Sequence, residues 1–242
     1  MVSFEQLQAS VEYQCQNNLN LYDSPKCDRL ATQAGSGRHL RVLSRPENLA
    51  GVPVCLCEDG YSSWLSLADI RELEIATTPY QVLALSEAEI KTRIPAVINF
   101  TQKAMQQPNY YLWGGTVGPN YDCSGLMQAA FANCGIWLPR DAYQQEAFTQ
   151  LLAIEDLLPG DLVFFGSAQK ATHVGMYLGE KCYIHSSGQE MGRNGIGIDR
   201  LSEQGDEVSR SYYRQLRCCG RVVQSYEPPQ LYSKRRRKPL AR

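Results

Sequence analysis

No stretch of this 242-residue chain approaches the ~20 consecutive apolar residues that a membrane-spanning helix requires, so membrane insertion is not expected. Cysteines at disulfide or metal spacing are also missing. The nine present (15, 27, 55, 57, 123, 134, 182, 218 and 219) are odd in number and include no Cys-x-x-Cys. A disulfide framework is therefore not the organising principle. Cys55-x-Cys57, Cys218-Cys219 and the histidines make a poor zinc constellation, so no metal is expected. There is no Walker loop, dinucleotide fingerprint or paired-carboxylate signature, and no cofactor is expected. Met1-Val-Ser-Phe-Glu-Gln-Leu-Gln8 lacks the basic start and apolar stretch of a secretory leader. With the unpaired cysteines, this predicts a reduced, cytoplasmic chain. Histidine is scarce: His39, His173 and His185 are the full complement.

What is present is ordinary for a globular protein, with 43% hydrophobic and 20% charged residues. The length suits one large or two unequal domains. A net charge of −1 conceals an asymmetry, because Lys234, Arg235, Arg236, Arg237, Lys238 and Arg242 crowd the last ten residues. Without them 18 bases face 25 acids, a poor surface for nucleic acid, so no nucleic-acid partner is expected. Residues 226–242 read as a solvated, disordered basic tail.

Residues 1–75 read as β-rich. Asn18–Tyr22, His39–Leu43, Val52–Cys57 and Tyr61–Ser66 are short apolar runs separated by Asp23-Ser-Pro25, Ala34-Gly-Ser-Gly37 and Asp59-Gly60, the pattern of a small barrel. Residues 76–85 form a linker. Ser86-Glu-Ala-Glu89 has the spacing of a capping box and opens a helical pattern (Ile90, Ile94, Val97, Ile98, Met105) that Pro95 should kink or restart. Residues 86–225 mix helix and strand, with no internal repeat.

The chemistry gathers at Tyr111–Gly125, a glycine-rich loop ending in Asp122-Cys-Ser-Gly125. Leu126, Met127, Ala130, Phe131 and Cys134 form a helical stripe that Gly135 should stop, and Asp122 is placed as its N-cap. Cys123 then occupies the first turn, where the helix dipole and a nearby imidazolium would lower its pKa from ~8.5 and make it a nucleophile. The alternative is a buried structural thiol, the expectation for most of the other eight. His173 and His185 lie in one hairpin (Thr172–Leu178, then Cys182–His185) and are the candidate bases, whereas His39 belongs to the β-rich part as a packed or surface residue. A bulge or an odd-length loop would put both rings on one face; a plain two-residue turn would not.

Tyr111-Leu-Trp-Gly-Gly115, Asp122-Cys-Ser-Gly125, Leu138-Pro-Arg-Asp141, Leu158–Gly166, His173–Gly179 and Tyr183-Ile-His-Ser186 occur in order. Together, across residues 86–225, they resemble the NlpC-type papain-like cysteine peptidases of bacterial cell-wall metabolism. Residues 11–75, with Tyr61-Ser-Ser-Trp64, more weakly resemble a bacterial SH3-like domain. The resemblance implies an α+β fold, a papain-like catalytic domain behind a small all-β SH3-like barrel. It implies Cys123 as nucleophile, His173 as base and acid, His185 as the residue orienting His173, and Tyr111 as an oxyanion partner. Asp122, Ser124 and Asp141 match positions that bind the substrate's amino end, and Tyr61 a barrel residue closing that pocket. Ala142 stands where relatives often carry a serine. The expected activity is hydrolysis of γ-D-glutamyl-diamino acid bonds in small cell-wall peptides with free L-Ala, in peptidoglycan recycling. The alternatives are a papain-like amidase or acyltransferase and a non-catalytic wall-peptide binder. Nothing in the pattern specifies an oligomeric state.

Overall fold

The computed structural model describes residues 2–9, 11–44 and 51–229. The basic run at 234–242 lies outside the described residues. Strands β1 (Glu12–Cys15), β2 (Leu19–Tyr22), β3 (Leu30–Ala34), β4 (His39–Val42), β5 (Val52–Leu56), β6 (Ser62–Leu65) and β7 (Leu73–Ile75) form one sheet in the order β3-β2-β6-β5-β4-β1-β7. Every pairing is antiparallel. Their alternating inward residues (Tyr13, Cys15, Leu19, Leu21, Leu40, Val42, Val54, Leu56, Leu65) make a separate core. Strands β1, β3 and β7 are too short and mixed to stand out in sequence, and they exist through their ladders with β4, β2 and β1.

Helix α1 (Glu87–Met105) begins at Ser86, whose hydroxyl accepts from Glu89 N–H while the Glu89 carboxylate accepts from Ser86 N–H. Pro95 was expected to kink or restart the helix; it does not restart it, and one element runs from Glu87 through Pro95 to Met105. Lys91, whose carbonyl loses its partner there, and Pro95 itself both lie on the exposed side, where water can serve the orphan group.

Helices α2 (Cys123–Ala132), α3 (Ala142–Phe148) and α4 (Glu207–Tyr213) accompany β8 (Gln150–Leu152), β9 (Leu162–Gly166), β10 (Ala171–Gly179), β11 (Cys182–Ser187), β12 (Gly195–Arg200) and β13 (Leu216–Arg221). These strands form a second antiparallel sheet, ordered β12-β11-β10-β9-β13-β8. One face (Leu162, Phe164, Val174, Met176, Ile184) packs on α1 and α2; the other (Val163, Phe165, Tyr183) packs on Tyr212 of α4 and Leu201. Among the described residues no helix is long and apolar enough to cross a membrane.

The two units meet over a polar seam. Thr116 N–H and hydroxyl donate to Gln33, Gln128 Nε2 donates to Asp59 (2.9 Å), and Arg38 pairs with Asp59 while lying over the Trp137 ring.

Candidate active site

Asp122 caps α2, accepting from Gly125 N–H at 2.6 Å, so Cys123 is the first helical residue. Gly125 is held against the loop, and a Cβ there would stand 2.0 Å from the Gly115 carbonyl oxygen. Gly125→Ala is expected to cost about 1–3 kcal/mol, as overpacking typically does, read as a lower urea midpoint with unchanged slope.

The placement of the histidines depends on one irregularity. Glu180 and Lys181 take φ of 50° and 60°, the left-handed pair of a two-residue hairpin turn, with Gly179 opposite Cys182. Continued unaltered, that register would set His185 across from Met176, on the face packed against α2. A bulge between Tyr177 and Gly179 instead pairs Tyr177 with Tyr183 and Met176 with Ile184. One extra residue in β10 thus brings His185 to the face of His173, with Gly175 leaving room for it: a Cβ at 175 would lie 3.2 Å from His185 Cβ.

His173 Nε2 and His185 Nδ1 are 2.7 Å apart, and His185 Nε2 is 2.7 Å from Asp199 Oδ2. Asp199 sits opposite Tyr183 in β12, on the same face. Arg193 and Ser209 donate to it, and Arg193 also pairs with Asp206. Tyr212 stacks on His173 (centroids 4.4 Å, 27°), its hydroxyl 2.6 Å from Ser187 Oγ. His39 lies apart from this group, bonded to Glu12.

Burial pushes His173 well below the usual imidazole range, aided by His185. Burial likewise lowers His185, against the pull of Asp199. Both rings are held neutral. The Cys123 thiol is pushed up to about 12 by burial and by the Asp122 charge, which the Val174 and Ser124 N–H groups and Arg140 only partly offset. This reverses the lowering expected from the helix start. With His173 neutral there is no imidazolium to help, and the dry pocket disfavours charge more than one helix end favours it. In the resting structure the rings bond to each other and to Asp199, and the thiol lies beside the N–H of Val174, the residue after His173.

A cavity of about 320 Å³ opens over the thiol at the seam. Tyr111, Asp122, Ser124 and Asp141 line it from one unit and Tyr61 from the other. Tyr111 is kept protonated by burial and by its proximity to Cys123, which leaves a hydroxyl donor at the thiol. Tyr61 is pushed up to about 12 by burial and Asp141.

The carboxylates differ. Asp122 is already engaged by Gly114 N–H, Gly125 N–H, Ser124 and a bidentate Arg140 (closest approach 2.5 Å). Arg140 also reaches Thr32 Oγ1 (2.9 Å) and the Ala31 carbonyl across the seam. Asp141 is raised by burial, which Arg140 and a hydrogen bond with Tyr143 only partly offset. Ala142 is buried beside it. A larger cavity of about 560 Å³ beside α1, lined by Ile90, Ile94, Ile98 and Leu158, has no cysteine, serine, threonine or histidine in its lining. Among the described residues no group of three or more ligands is arranged for a metal ion.

A helix that begins at a cysteine, packed on an antiparallel sheet presenting an imidazole pair behind an all-β unit, is an α+β arrangement. Residues 108–217 match the NlpC/P60 family and residues 21–70 the bacterial dipeptidyl-peptidase Sh3 domain. The chain thus has one segment similar to the NlpC/P60 family and, ahead of it, one similar to a bacterial Sh3 domain. It is 42% identical over 81 residues (32% of this chain, 25% of the relative) to the bifunctional muramidase/DL-endopeptidase CwlT of Bacillus subtilis. It is 37% identical over 95 residues (39% of this chain, 19% of the relative) to the probable endopeptidase p60 of Listeria monocytogenes. The chain therefore spans a quarter or less of the length of these curated relatives. Among solved structures it is similar to an NlpC/P60 family protein from Bacillus cereus, with TM-score 0.48 and 24% identity over 88% of this chain and 64% of that one.

Proposed function

We propose that this protein is a cysteine endopeptidase that hydrolyses the γ-D-glutamyl-diamino acid bond of cell-wall peptides bearing a free N-terminal L-Ala. The observation that carries this reading is the seam pocket, whose lining includes Cys123, Tyr111 and Asp141. Cys123 gives its proton to His173 and attacks the γ-glutamyl carbonyl. The Cys123 N–H and Tyr111 hydroxyl stabilise the tetrahedral oxyanion, where each such donor is worth about 10²–10³ in rate. His173 then protonates the departing amine, and water activated by the same ring hydrolyses the thioester.

Asp141, with Asp122 and Ser124 behind it and Tyr61 closing the wall, receives the substrate's α-ammonium. A cation there has a charged partner in a partly dry site. In intact wall that amine is acylated, so the requirement selects released fragments, consistent with a cytoplasmic recycling role.

Mass spectrometry of L-Ala-γ-D-Glu-diaminopimelate incubated with the protein tests this. Release of L-Ala-γ-D-Glu by wild type, its loss in Cys123→Ala, and no turnover of the N-acetylated peptide are expected. Equal turnover of capped and free peptide would overturn the ammonium pocket. Turnover of acyl esters but not peptide would favour the amidase or acyltransferase reading.

A further inference from the structure

We infer that Asp199, held by Arg193, is a positioning residue that dictates which nitrogen of His173 is free to act as base; the inference rests on the cysteine-peptidase reading above. An ionised carboxylate only accepts hydrogen bonds, so the 2.7 Å contact with Asp199 requires the proton of His185 to sit on Nε2. A neutral ring with its proton on Nε2 offers Nδ1 as acceptor. His173 must therefore donate through Nε2, across the 2.7 Å contact. What remains on His173 is a bare Nδ1 lone pair, the atom to which the peptidase reading assigns the thiol proton. The tautomer at the reacting end is set two residues away.

Arg193 makes this chain work by keeping it electrically quiet. Burial would raise Asp199, but the hydrogen bonds from His185 and Arg193 hold it well below the usual carboxylate range. Its charge faces Arg193, with Asp206 on the far side of that guanidinium and Ser209 donating to the second oxygen. The other titratable groups facing the chain are Tyr183 and Tyr212, both pushed up by burial and so neutral, and Cys123. A lone buried carboxylate would pull a proton onto His185. The Arg193 countercharge removes that pull, so Asp199 orients the ring without protonating it.

Two substitutions separate these roles. In Asp199→Asn, Arg193 claims the amide oxygen and the NH₂ turns to His185, reversing every donor in the chain and leaving a proton on His173 Nδ1. In Arg193→Gln, Asp199 stays charged without its partner, and the pKa of His185 rises. The readout is the pH dependence of Cys123 alkylation by iodoacetamide, followed by mass spectrometry of the Cys123 peptide, which needs no substrate. Imidazole ¹⁵N shifts accompany it, simplified by the presence of three histidines. Asp199→Asn should slow alkylation about a hundredfold or more at every pH, by analogy with the ~10⁴-fold loss when a serine-protease triad aspartate becomes asparagine. Its ¹⁵N pattern should move the His173 proton from Nε2 to Nδ1. Arg193→Gln should react normally at high pH but lose reactivity at a higher pH than wild type. Wild-type reactivity and an unchanged tautomer in Asp199→Asn would overturn this inference alone. A wild-type profile no faster than that of His173→Ala would overturn the peptidase reading and this inference with it. The ¹⁵N measurement decides the matter even if one variant is less stable, since it reports the tautomer in the folded fraction.

Discussion

His173→Ala is expected to lower kcat on the tripeptide by about 10⁴-fold, the upper end of what one positioned acid–base group contributes. The loss should be large because the thiol, pushed up to about 12 by burial, is protonated at neutral pH and makes almost no thiolate on its own. The imidazole is needed twice, to accept the thiol proton and to protonate the leaving amine. KM should change little, since the ammonium pocket is built from other residues, so the defect appears in kcat. The pH profile follows with a definite sign. Burial holds His173 well below the usual imidazole range, so the ring stays a competent base into mildly acidic solution. Asp141 is raised by its burial, and its protonation on the acid side should raise KM for the free-amine peptide. On the alkaline side kcat/KM should fall as the substrate amine loses its charge near about pH 8. The two imidazoles also govern how stability depends on pH. Two rings held neutral in the fold protonate freely when unfolded, so stability should drop as pH falls below about 6.5 and level off below their folded values.

Arg140→Met is expected to destabilise the protein by about 3–5 kcal/mol, the usual cost of removing one partner of a buried ion pair. Arg140 is 2% exposed and carries a full charge, kept by Asp122 against the pull of burial. Its guanidinium pairs bidentately with Asp122 and touches Ser124, Thr32 and the Ala31 carbonyl. Without it Asp122 is a buried, uncompensated carboxylate at the cap of the nucleophile's helix, and the seam loses a direct tie to β3. The urea midpoint should fall. Adding Asp122→Asn to Arg140→Met should recover part of the loss, because the orphan charge is then gone while the amide can still cap. If the double variant is as unstable as the sum of the single ones, the pair is not the source.

Local chemistry was legible in the amino-acid order because it depends on near neighbours. The Ser86 capping box, the Asp122 cap with Cys123 first in its helix, and two of three histidines in one hairpin all come from spacings of a few residues. Pro95 shows the limit: no helix restart follows it where the orphan carbonyl faces water.

What the tertiary structure alone decided is which distant groups share a face and how dry they are. The bulge at Tyr177–Gly179 set the histidine register through packing on both sides of the sheet, which no turn motif announces. Asp199, Arg193 and Tyr212 carried no signal, since aspartate, arginine and tyrosine are common and each gains its role only from a neighbour in another element. The protonation of Cys123 was the reverse of its helix-start expectation, because a dipole is read from sequence whereas desolvation is a property of the closed pocket.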